Sequence, residues 1–197
     1  MRRTWTNVKA VLLGVATPLL CGCTQVSQEV REPEAGVNGG FETVKDGLPV
    51  NWLVYTPDTV PNSDFDIAFD KSEKAEGRQS LKFTVRACEG IGGWRSPGFA
   101  QEYPARPGDV FDVRLAVRND GTEFGVAISA VSAFGGVDGP GVRTDSTFGE
   151  WWHYQWEYAM PEKMERLRLE LNVLRPGTLW IDDVRLTRRS GEEVKPL

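Results

Sequence analysis

The sequence predicts an all-β domain built as an antiparallel β-sandwich, and three observations support this fold class. Apolar and polar side chains alternate with a period of two in several stretches, turn-forming residues separate those stretches, and helical spacing is nearly absent. Strands with one apolar and one polar face are typical of antiparallel sheets. Short strands joined by such turns, in a chain with 21 Gly and 12 Pro, favour a sandwich or a barrel, and we predict a sandwich.

The individual strands are marked by apolar residues at every second position, with polar residues between them. Three stretches show this clearly: Leu81, Phe83 and Val85; Phe111, Val113, Leu115 and Val117; and Leu167, Leu169, Leu171 and Val173. Residues 126–130 give a weaker version, and residues 151–158 give an aromatic one. Turns are predicted at 106–109, 119–121, 135–141 and 175–177, where Gly, Pro, Asn and Asp cluster.

The N-terminal residues predict a secretory signal that precedes the domain. Arg2, Arg3 and Lys9 form a basic head, and the mostly apolar run 8–20 is 13 residues long. A helix needs roughly 20 residues to cross a bilayer, so this run is too short to span one.

The residues Leu20-Cys21-Gly22-Cys23 resemble a bacterial lipobox, in which a leucine and a small residue precede the cysteine that is lipidated and becomes the new N-terminus. Cys23 fits that position, whereas Cys21 would put Leu20 at the small-residue site. The resemblance implies a signal peptide at 1–22 and a lipid anchor on Cys23. The alternative is a soluble secreted protein with ordinary cleavage nearby.

The predicted organisation is a lipidated flexible tether at 23–36, a β-sandwich domain at 37–190 and a C-terminal tail at 191–197. The tether is expected because residues 24–35 are polar and lack periodicity. We expect a location in the bacterial cell envelope. In a cell with two membranes this is the outer membrane, because Thr24 beside the anchor resembles that sorting class.

Charge and cysteine usage exclude some classes of protein. Without the three basic residues of the signal, the chain carries 23 − 3 = 20 basic and 28 acidic residues, a net charge of −8. This argues against a nucleic-acid-binding protein, which needs a basic surface. If the chain starts at Cys23, Cys88 is the only free thiol, so we expect no internal disulfide and a small buried side chain there.

Two acidic positions lie among apolar residues at opposite ends of the predicted domain. Asp182 and Asp183 interrupt the last apolar strand, 179–186, and Glu42 follows Phe41 near the first. One of two neighbours on a strand faces inward, and a buried unpaired carboxylate costs several kcal/mol. Two such acids suit one hard cation bound by oxygen ligands. The alternative is that they bond backbone N–H groups or arginines without a metal.

Six motifs occur in a fixed order along the chain: Asn38-Gly39-Gly40-Phe41-Glu42, residues 47–52, residues 76–81, Pro107-Gly108, Glu150-Trp151 and residues 180–186. In this order they resemble the carbohydrate-binding modules of the family 4, 9 and 22 type, which are β-jelly rolls of the galactose-binding-domain-like kind. The resemblance covers residues 37–188.

The resemblance implies a structural calcium ion at the edge of the sandwich. Glu42 would supply a side-chain oxygen, Gly40 and Gln79 would supply carbonyl oxygens, and Asp182, preferred over Asp183, would supply its carboxylate. Glu76 would add a side-chain or backbone oxygen.

Motifs for catalysis are missing from the sequence. His153 is the single histidine, which excludes a zinc site made of the usual His and Cys ligands. No phosphate-binding glycine loop occurs. The acids at 64–70 suggest a calcium loop, but Phe69 and Ala75 occupy the positions that need Gly and Glu. No pair of carboxylates stands out for glycoside hydrolysis.

Candidate sugar-binding residues are aromatic and polar side chains that face away from the core. The family-like pattern turns Tyr154, Trp156 and Tyr158 inward, so alternation turns Trp151 and His153 outward. If the strands at 151–158 and 166–173 adjoin, these two residues share one polar groove with Arg168 and Glu170.

Trp94 falls in the loop-like stretch 92–97, where it either stacks on a ligand or packs the loop onto the sandwich. Trp151 is open to a second interpretation, because the resembled family also places a packing tryptophan there.

The function predicted from these features is a membrane-anchored, non-catalytic lipoprotein that binds a polysaccharide or glycan and sits on a lipid bilayer through its acylated N-terminus. One alternative is a cell-envelope structural or protein-interaction domain with the same fold. A third is a glycoside hydrolase or polysaccharide lyase.

Overall fold

The computed structural model describes residues 29–189, and this part of the chain is built almost entirely from β-strands. The strands are β1 (Val44–Lys45), β2 (Leu48–Pro49), β3 (Leu53–Tyr55), β4 (Asp64–Asp70), β5 (Ser80–Ala87), β6 (Gly98–Pro104), β7 (Val110–Asp120), β8 (Phe124–Ser132), β9 (Gly135–Thr144), β10 (Phe148–Ala159), β11 (Arg166–Val173) and β12 (Gly177–Arg188). Two short 3-10 turns, Pro33–Ala35 and Gly93–Arg95, are the only helical pieces within 29–189.

The strands form two five-stranded antiparallel sheets and a small hairpin of β1 and β2. We call the sheet with the order β3-β6-β11-β8-β9 the front sheet, and the sheet with the order β10-β7-β12-β5-β4 the back sheet. Every strand pair is antiparallel. The predicted all-β, antiparallel sandwich is therefore confirmed, and the alternating stretches fall in β5, β7, β8, β10 and β11.

The core lies between the two sheets and is filled by the apolar residues that the alternation marks. Leu81 and Phe83 of β5, Val113 of β7 and Leu169 of β11 are all buried. Aromatic rings close one part of this core, where Phe99 lies 4.8 Å from Trp52 and 5.8 Å from Phe41 between ring centroids. Close packing of these rings is expected to be a main source of stability, since each buries a large apolar area.

The motif at 38–42 ties the start of the domain to its last strand. The Asn38 side chain donates to the carbonyls of Thr43 and Val50, each at 2.8 Å, and accepts from the Thr43 N–H. The Gly39 carbonyl accepts from the Val184 N–H at 3.0 Å. A Cβ on Gly39 would overlap the Val184 carbonyl, so only glycine allows the first segment to approach β12 this closely.

Residues 29–36, which fall in the predicted tether, are hydrogen-bonded to the domain. The Asn51 N–H donates to the Val30 carbonyl at 2.6 Å. The Asn51 side chain accepts from the Glu32 N–H and donates to the carbonyls of Glu32 and Gly36. Part of the predicted tether is therefore hydrogen-bonded to the domain. Residues 1–28 and 190–197, which include Cys23, the predicted signal and the predicted tail, lie outside the described residues.

Two further features concern single elements. Cys88 is a free thiol that is partly buried against the core, and burial raises its pKa. Within residues 29–189, no helix has the length and apolar content needed to cross a bilayer.

Candidate functional site on the outer face of the front sheet

The outer face of the front sheet carries a central row of long polar side chains, with small residues on both sides of one half of the row. β11 turns Arg166, Arg168, Glu170 and Asn172 outward, and we call these four residues the polar ridge. Glu170 and Asn172 are paired with Ala100 and Gly98 on β6 and with Ala127 and Gly125 on β8, whereas Arg168 and Arg166 are paired with Glu102 and Pro104 on β6 and with Ser129 and Val131 on β8. Small neighbours therefore leave open space on both sides of Glu170 and Asn172.

Arg168 is the centre of a hydrogen-bonded cluster on the ridge. Its guanidinium donates to Glu102 Oε1 at 3.0 Å, to Glu170 Oε2 at 3.3 Å and to the Tyr55 hydroxyl at 2.9 Å. The Tyr55 hydroxyl in turn donates to Glu170 Oε1 at 2.7 Å. The side chains are thereby held in fixed orientations, because each is bonded to at least one other member of the cluster.

Burial and charge within this cluster shift two pKa values. Burial raises the pKa of the Tyr55 phenol, and the neighbouring Glu170 carboxylate raises it further. Burial lowers the pKa of Arg168, but the Glu170 carboxylate and the other partners outweigh it, so the net shift is upward. Both shifts keep Tyr55 protonated and Arg168 charged at neutral pH.

A trough of about 400 Å³ runs between the polar ridge and β9. Its floor consists of Gly125, Ala127 and Gly141, and its sides are formed by Glu170 and Asn172 on the ridge and by Arg143 on β9, while Ile91 lies at one end. Because the floor has almost no side chains, a flat ligand can approach the backbone of the sheet.

Arg143 is the cation on the outer side of the trough. Its side chain is 64% exposed, and its Nε donates to Glu123 Oε1 at 2.5 Å. Arg175 reaches the other carboxylate oxygen of Glu123 at 2.7 Å. The hydrogen bond from Arg143 and the charges of both arginines hold the pKa of Glu123 below its usual value. Arg143 is thus oriented by Glu123 while remaining open to solvent.

A second, smaller groove of about 210 Å³ lies on the other side of the ridge. It is lined by Leu53, Ala100, Gln101, Glu102, Arg166 and Arg168 of the front sheet and by Glu29 and Arg31 of the N-terminal segment. The chain that leads back toward Cys23 therefore borders this groove.

Trp94 lies in the loop 88–97, which is attached to the end of the polar ridge. The Asn172 side chain accepts from the Gly93 N–H at 2.9 Å and donates to the Gly93 carbonyl at 3.0 Å. Trp94 is 63% exposed and Ile91 is 56% exposed. Of the two alternatives for Trp94, packing onto the sandwich edge does not match this exposure, and the ring remains available to a ligand at the rim of the trough.

Trp151 and His153 are not brought together with Arg168 and Glu170, and the prediction of one shared groove is wrong. β10, which carries the first pair, is the edge strand of the back sheet, and β11 is the middle strand of the front sheet. The chain crosses between sheets at 160–165, although the two strands are consecutive. Alternation correctly predicted that His153 is exposed, and Trp151 is half-buried.

The predicted calcium ligands converge around Gly40. A Cβ placed on Gly40 would lie 3.6 Å from Glu42 Cγ, 3.9 Å from Glu76 Oε1 and 4.0 Å from Asp182 Oδ1. Gln79 joins the same region, because its Nε2 donates to the Phe41 carbonyl at 2.7 Å. The predicted closeness of the first and last segments of the domain is confirmed, and carboxylate oxygens of Glu76 and Asp182 lie near Gly40.

Each acid of this cluster also has a partner that is not a metal. Asp182 is fully buried, and its carboxylate accepts the N–H groups of Ala75, Glu76 and Asp183 at 2.8–3.0 Å. Burial raises the pKa of Asp182. Arg78 donates to both oxygens of Glu42.

Glu76 completes the cluster, and its Oε2 accepts from Arg185 at 2.5 Å. These are the bonds expected in the alternative without a metal. Among the described residues, no three His, Cys, Asp or Glu side chains are grouped so that they could hold an ion.

Tyr55, Glu102 and Arg143 belong to the site, but the sequence reasoning did not select them. Tyr55 and Glu102 reach Arg168 from other strands of the front sheet, and alternation within one strand contains no information about such neighbours. The small residues of the trough floor could have been recognised from the sequence, because Gly125 and Ala127 alternate with the apolar core residues of β8.

No protein-family model matches the sequence, and no curated protein is significantly similar to it. Solved structures are similar in fold. A family 4 carbohydrate-binding module superposes with a TM-score of 0.56 at 17% identity, over 77% of this chain and 98% of that one. The C-terminal family 22 carbohydrate-binding module of Clostridium thermocellum Xyn10B gives a TM-score of 0.53 at 13% identity, over 78% and 94%.

A third similar structure is the enzymatically active domain of tailspike protein 4 of bacteriophage CBA120, with a TM-score of 0.58 at 17% identity over 80% of this chain. The chain spans only 22% of that tailspike chain, and 27% of a Clostridium thermocellum xylanase 10B chain that it also matches. At these identities the likeness concerns the fold. The predicted jelly roll, and the resemblance to carbohydrate-binding modules at the level of the fold, are confirmed.

Proposed function

We propose that this protein is a membrane-anchored lipoprotein that binds a glycan in the trough of the front sheet without cleaving it. The observation that carries the proposal is the open trough itself, with a floor of Gly125, Ala127 and Gly141 beside fixed polar groups. A sugar chain offers flat C–H faces for such a floor and hydroxyl groups for the Arg and Glu side chains. The solved structures of the same fold include modules described as carbohydrate-binding.

The residues around the trough have distinct roles in this proposal. Arg143 and Glu170 would bond sugar hydroxyls from opposite sides, and Trp94 and Ile91 would cover an apolar sugar face at the rim. Arg168 would act by orienting Glu170, to which it is bonded. Fixed side chains lower the entropy lost on binding, which favours affinity.

The proposal that the protein is non-catalytic is supported by how the two carboxylates bonded to Arg168 are used. Glu102 and Glu170 both accept from Arg168, and Glu170 uses its second oxygen to accept from the Tyr55 hydroxyl. Glycoside hydrolysis requires one carboxylic acid that gives up a proton and a second carboxylate that is free to act as base or nucleophile. Two acceptors bound to one guanidinium do not supply that pair.

The alternative function is contact with another protein of the cell envelope, and one observation favours it. The residues lining the trough include no aromatic ring, and the exposed Trp94 is not one of them. A partner protein would bury the polar ridge with the exposed Trp94 as an anchor.

The test of the proposed function is glycan binding by the chain from Thr24 onward, measured on an array and then by calorimetry. We expect Arg143→Ala and Trp94→Ala to weaken binding by about tenfold or more each, because each removes a side chain that would contact the ligand. His153→Ala on the back sheet is the matched control and should leave affinity unchanged. If no glycan binds and Trp94→Ala instead abolishes capture of an envelope protein, the alternative holds.

We also propose that a structural calcium ion is held by Glu42, Gly40, Glu76, Gln79 and Asp182. Carboxylate and carbonyl oxygens are the ligands that calcium prefers. A bound ion would take over the partner roles that Arg78 and Arg185 have at Glu42 and Glu76. It would then fasten the first segment of the domain to β12.

A further inference from the structure

The hairpin that joins β8 and β9 ends in a fully exposed aromatic side chain. Phe134 is 100% exposed, and Val137 on the same hairpin is 42% exposed. The Ser132 hydroxyl accepts from the Phe134 N–H and donates to the Gly135 carbonyl, both at 3.2 Å. In this turn the Phe134 ring therefore lies in solvent, away from the domain.

The hairpin tip is uncharged, and the loops beside it carry exposed charges of both signs. No charged residue occurs from 124 to 137. The loops 104–109 and 160–165 reach the hairpin because the Glu165 N–H donates to the Val131 carbonyl at 3.1 Å and the Ala105 N–H donates to the Glu165 carbonyl at 2.8 Å. These loops expose Arg106 and Lys163, and they also expose Glu162 and Glu165. The apolar tip suits the boundary between acyl chains and headgroups, and loop charges of both signs would lie among the headgroups.

The N-terminal segment leaves the domain on the same end of the sandwich. Glu29 and Arg31 border the groove that contains Glu102 and Arg166. Arg166 is paired with Val131 of β8, directly before the hairpin tip. Six residue steps separate Glu29 from Cys23, and at about 3.4 Å each they reach at most about 20 Å. An anchor on Cys23 would keep this end of the sandwich close to the bilayer.

We propose that the hairpin end of the sandwich, defined by Phe134 and Val137, is a lipid-contacting surface, and that Phe134 enters the headgroup region. This inference rests on the lipid anchoring in the proposed function. The loop that carries Trp94 precedes β6, whereas the hairpin lies beyond the other end of that strand. The rim of the trough at Trp94 then points away from the bilayer, where a glycan is accessible.

The test uses the full lipidated chain with p-benzoylphenylalanine in place of Phe134, reconstituted in vesicles of phosphatidylethanolamine and phosphatidylglycerol. The matched control carries the same photoreactive residue in place of Trp94, which is also exposed but lies at the opposite end. On irradiation we expect a lipid adduct at position 134 and none at position 94. Amide exchange at 133–136 should slow by at least about threefold on vesicles, with no change at 92–95.

Three other outcomes are distinguishable. A chain that floats with the vesicles but forms no lipid adduct at 134 overturns this inference alone. A crosslink from 134 to a second copy of the chain overturns it in favour of self-association. A chain that fails to float overturns the anchoring, and this inference with it.

Discussion

At the scale of single residues, the polar ridge depends on one buried hydroxyl. Tyr55 is 4% exposed, and its hydroxyl donates to Glu170 while it accepts from Arg168. The outward positions of Arg168 and Glu170 were predictable from alternation within one strand. The role of Tyr55 was not, because it comes from a strand at the far edge of the sheet and 115 positions from Glu170 in the sequence.

Tyr55→Phe should lower the free energy of unfolding by about 1–2 kcal/mol, because it leaves one oxygen of Glu170 and one donor of Arg168 without this partner. Urea denaturation followed by tryptophan fluorescence measures the change. Tyr158→Phe is the control, since its hydroxyl donates to the Val137 carbonyl at a long distance of 3.5 Å, and it should cost less than about 0.5 kcal/mol. An equal loss of unfolding free energy in the two variants would contradict a stabilising role for the hydrogen-bonded cluster around Arg168.

At the scale of elements, β12 explains why two adjacent aspartates are both buried. The register of β12 against β7 shifts between Asp182 and Arg185, and Asp183 has a φ of 49°. Alternation predicted that only one of the two acids faces inward, but a bulge breaks the alternation. Asp182 then accepts three backbone N–H groups, while Asp183 accepts from Arg114 at 2.6 Å and from Arg185. A bulge has no sequence signature as strong as the period of two.

The back sheet also contains a carboxylate that makes stability depend on pH. Asp70 of β4 accepts from the Ser72 hydroxyl, the Trp180 N–H and the Ser72 and Glu73 N–H groups, and Lys82 lies 3.5 Å away. The hydrogen bonds from Ser72 and Trp180 are the main reason that the pKa of Asp70 lies below its usual value. A lowered pKa in the folded state means that the carboxylate stabilises the fold when it is ionised.

The contribution of Asp70 should be fully present above its unfolded pKa of about 3.9 and should disappear as the pH falls through the lower folded value. Unfolding free energies of the wild type and Asp70→Asn, measured by urea between pH 7 and pH 2, should differ by about 1–2 kcal/mol at pH 7 and converge at the acid end. A difference that stays constant with pH would show that Asp70 acts through its shape and not its charge.

At the scale of the whole molecule, local patterns predicted the sandwich but not the arrangement of its strands. Alternation fixes which face of a strand is buried, and the six ordered motifs placed residues 37–188 in a jelly roll. Neither determines which sheet a strand joins, because the partner is selected by contacts distant in sequence. β10 and β11 illustrate this, since they are consecutive and lie in different sheets. The predicted groove depended on that pairing, so it was the part that failed.

The proposed calcium ion is a whole-molecule prediction, because it would join the first segment to the last strand. Adding calcium to chelator-treated protein should raise the melting temperature by several degrees, since a ligand that binds only the folded state stabilises it by mass action. Glu42→Gln should remove this response, whereas Glu150→Gln, an exposed acid on β10, should keep it. An unchanged melting temperature in chelator, for the calcium-loaded wild type, would mean that the hydrogen bonds from Arg78 and the backbone are sufficient.

The proposed glycan would occupy the trough beside the polar ridge. Amide chemical shifts of the isotope-labelled chain, followed by NMR during titration with an array-selected oligosaccharide, test this placement directly. We expect the largest shifts at 125–127, 141–143 and 170–172, with little change along β10. Shifts concentrated on the back sheet, or saturable binding without shifts in these three stretches, would contradict the placement of the glycan in the trough.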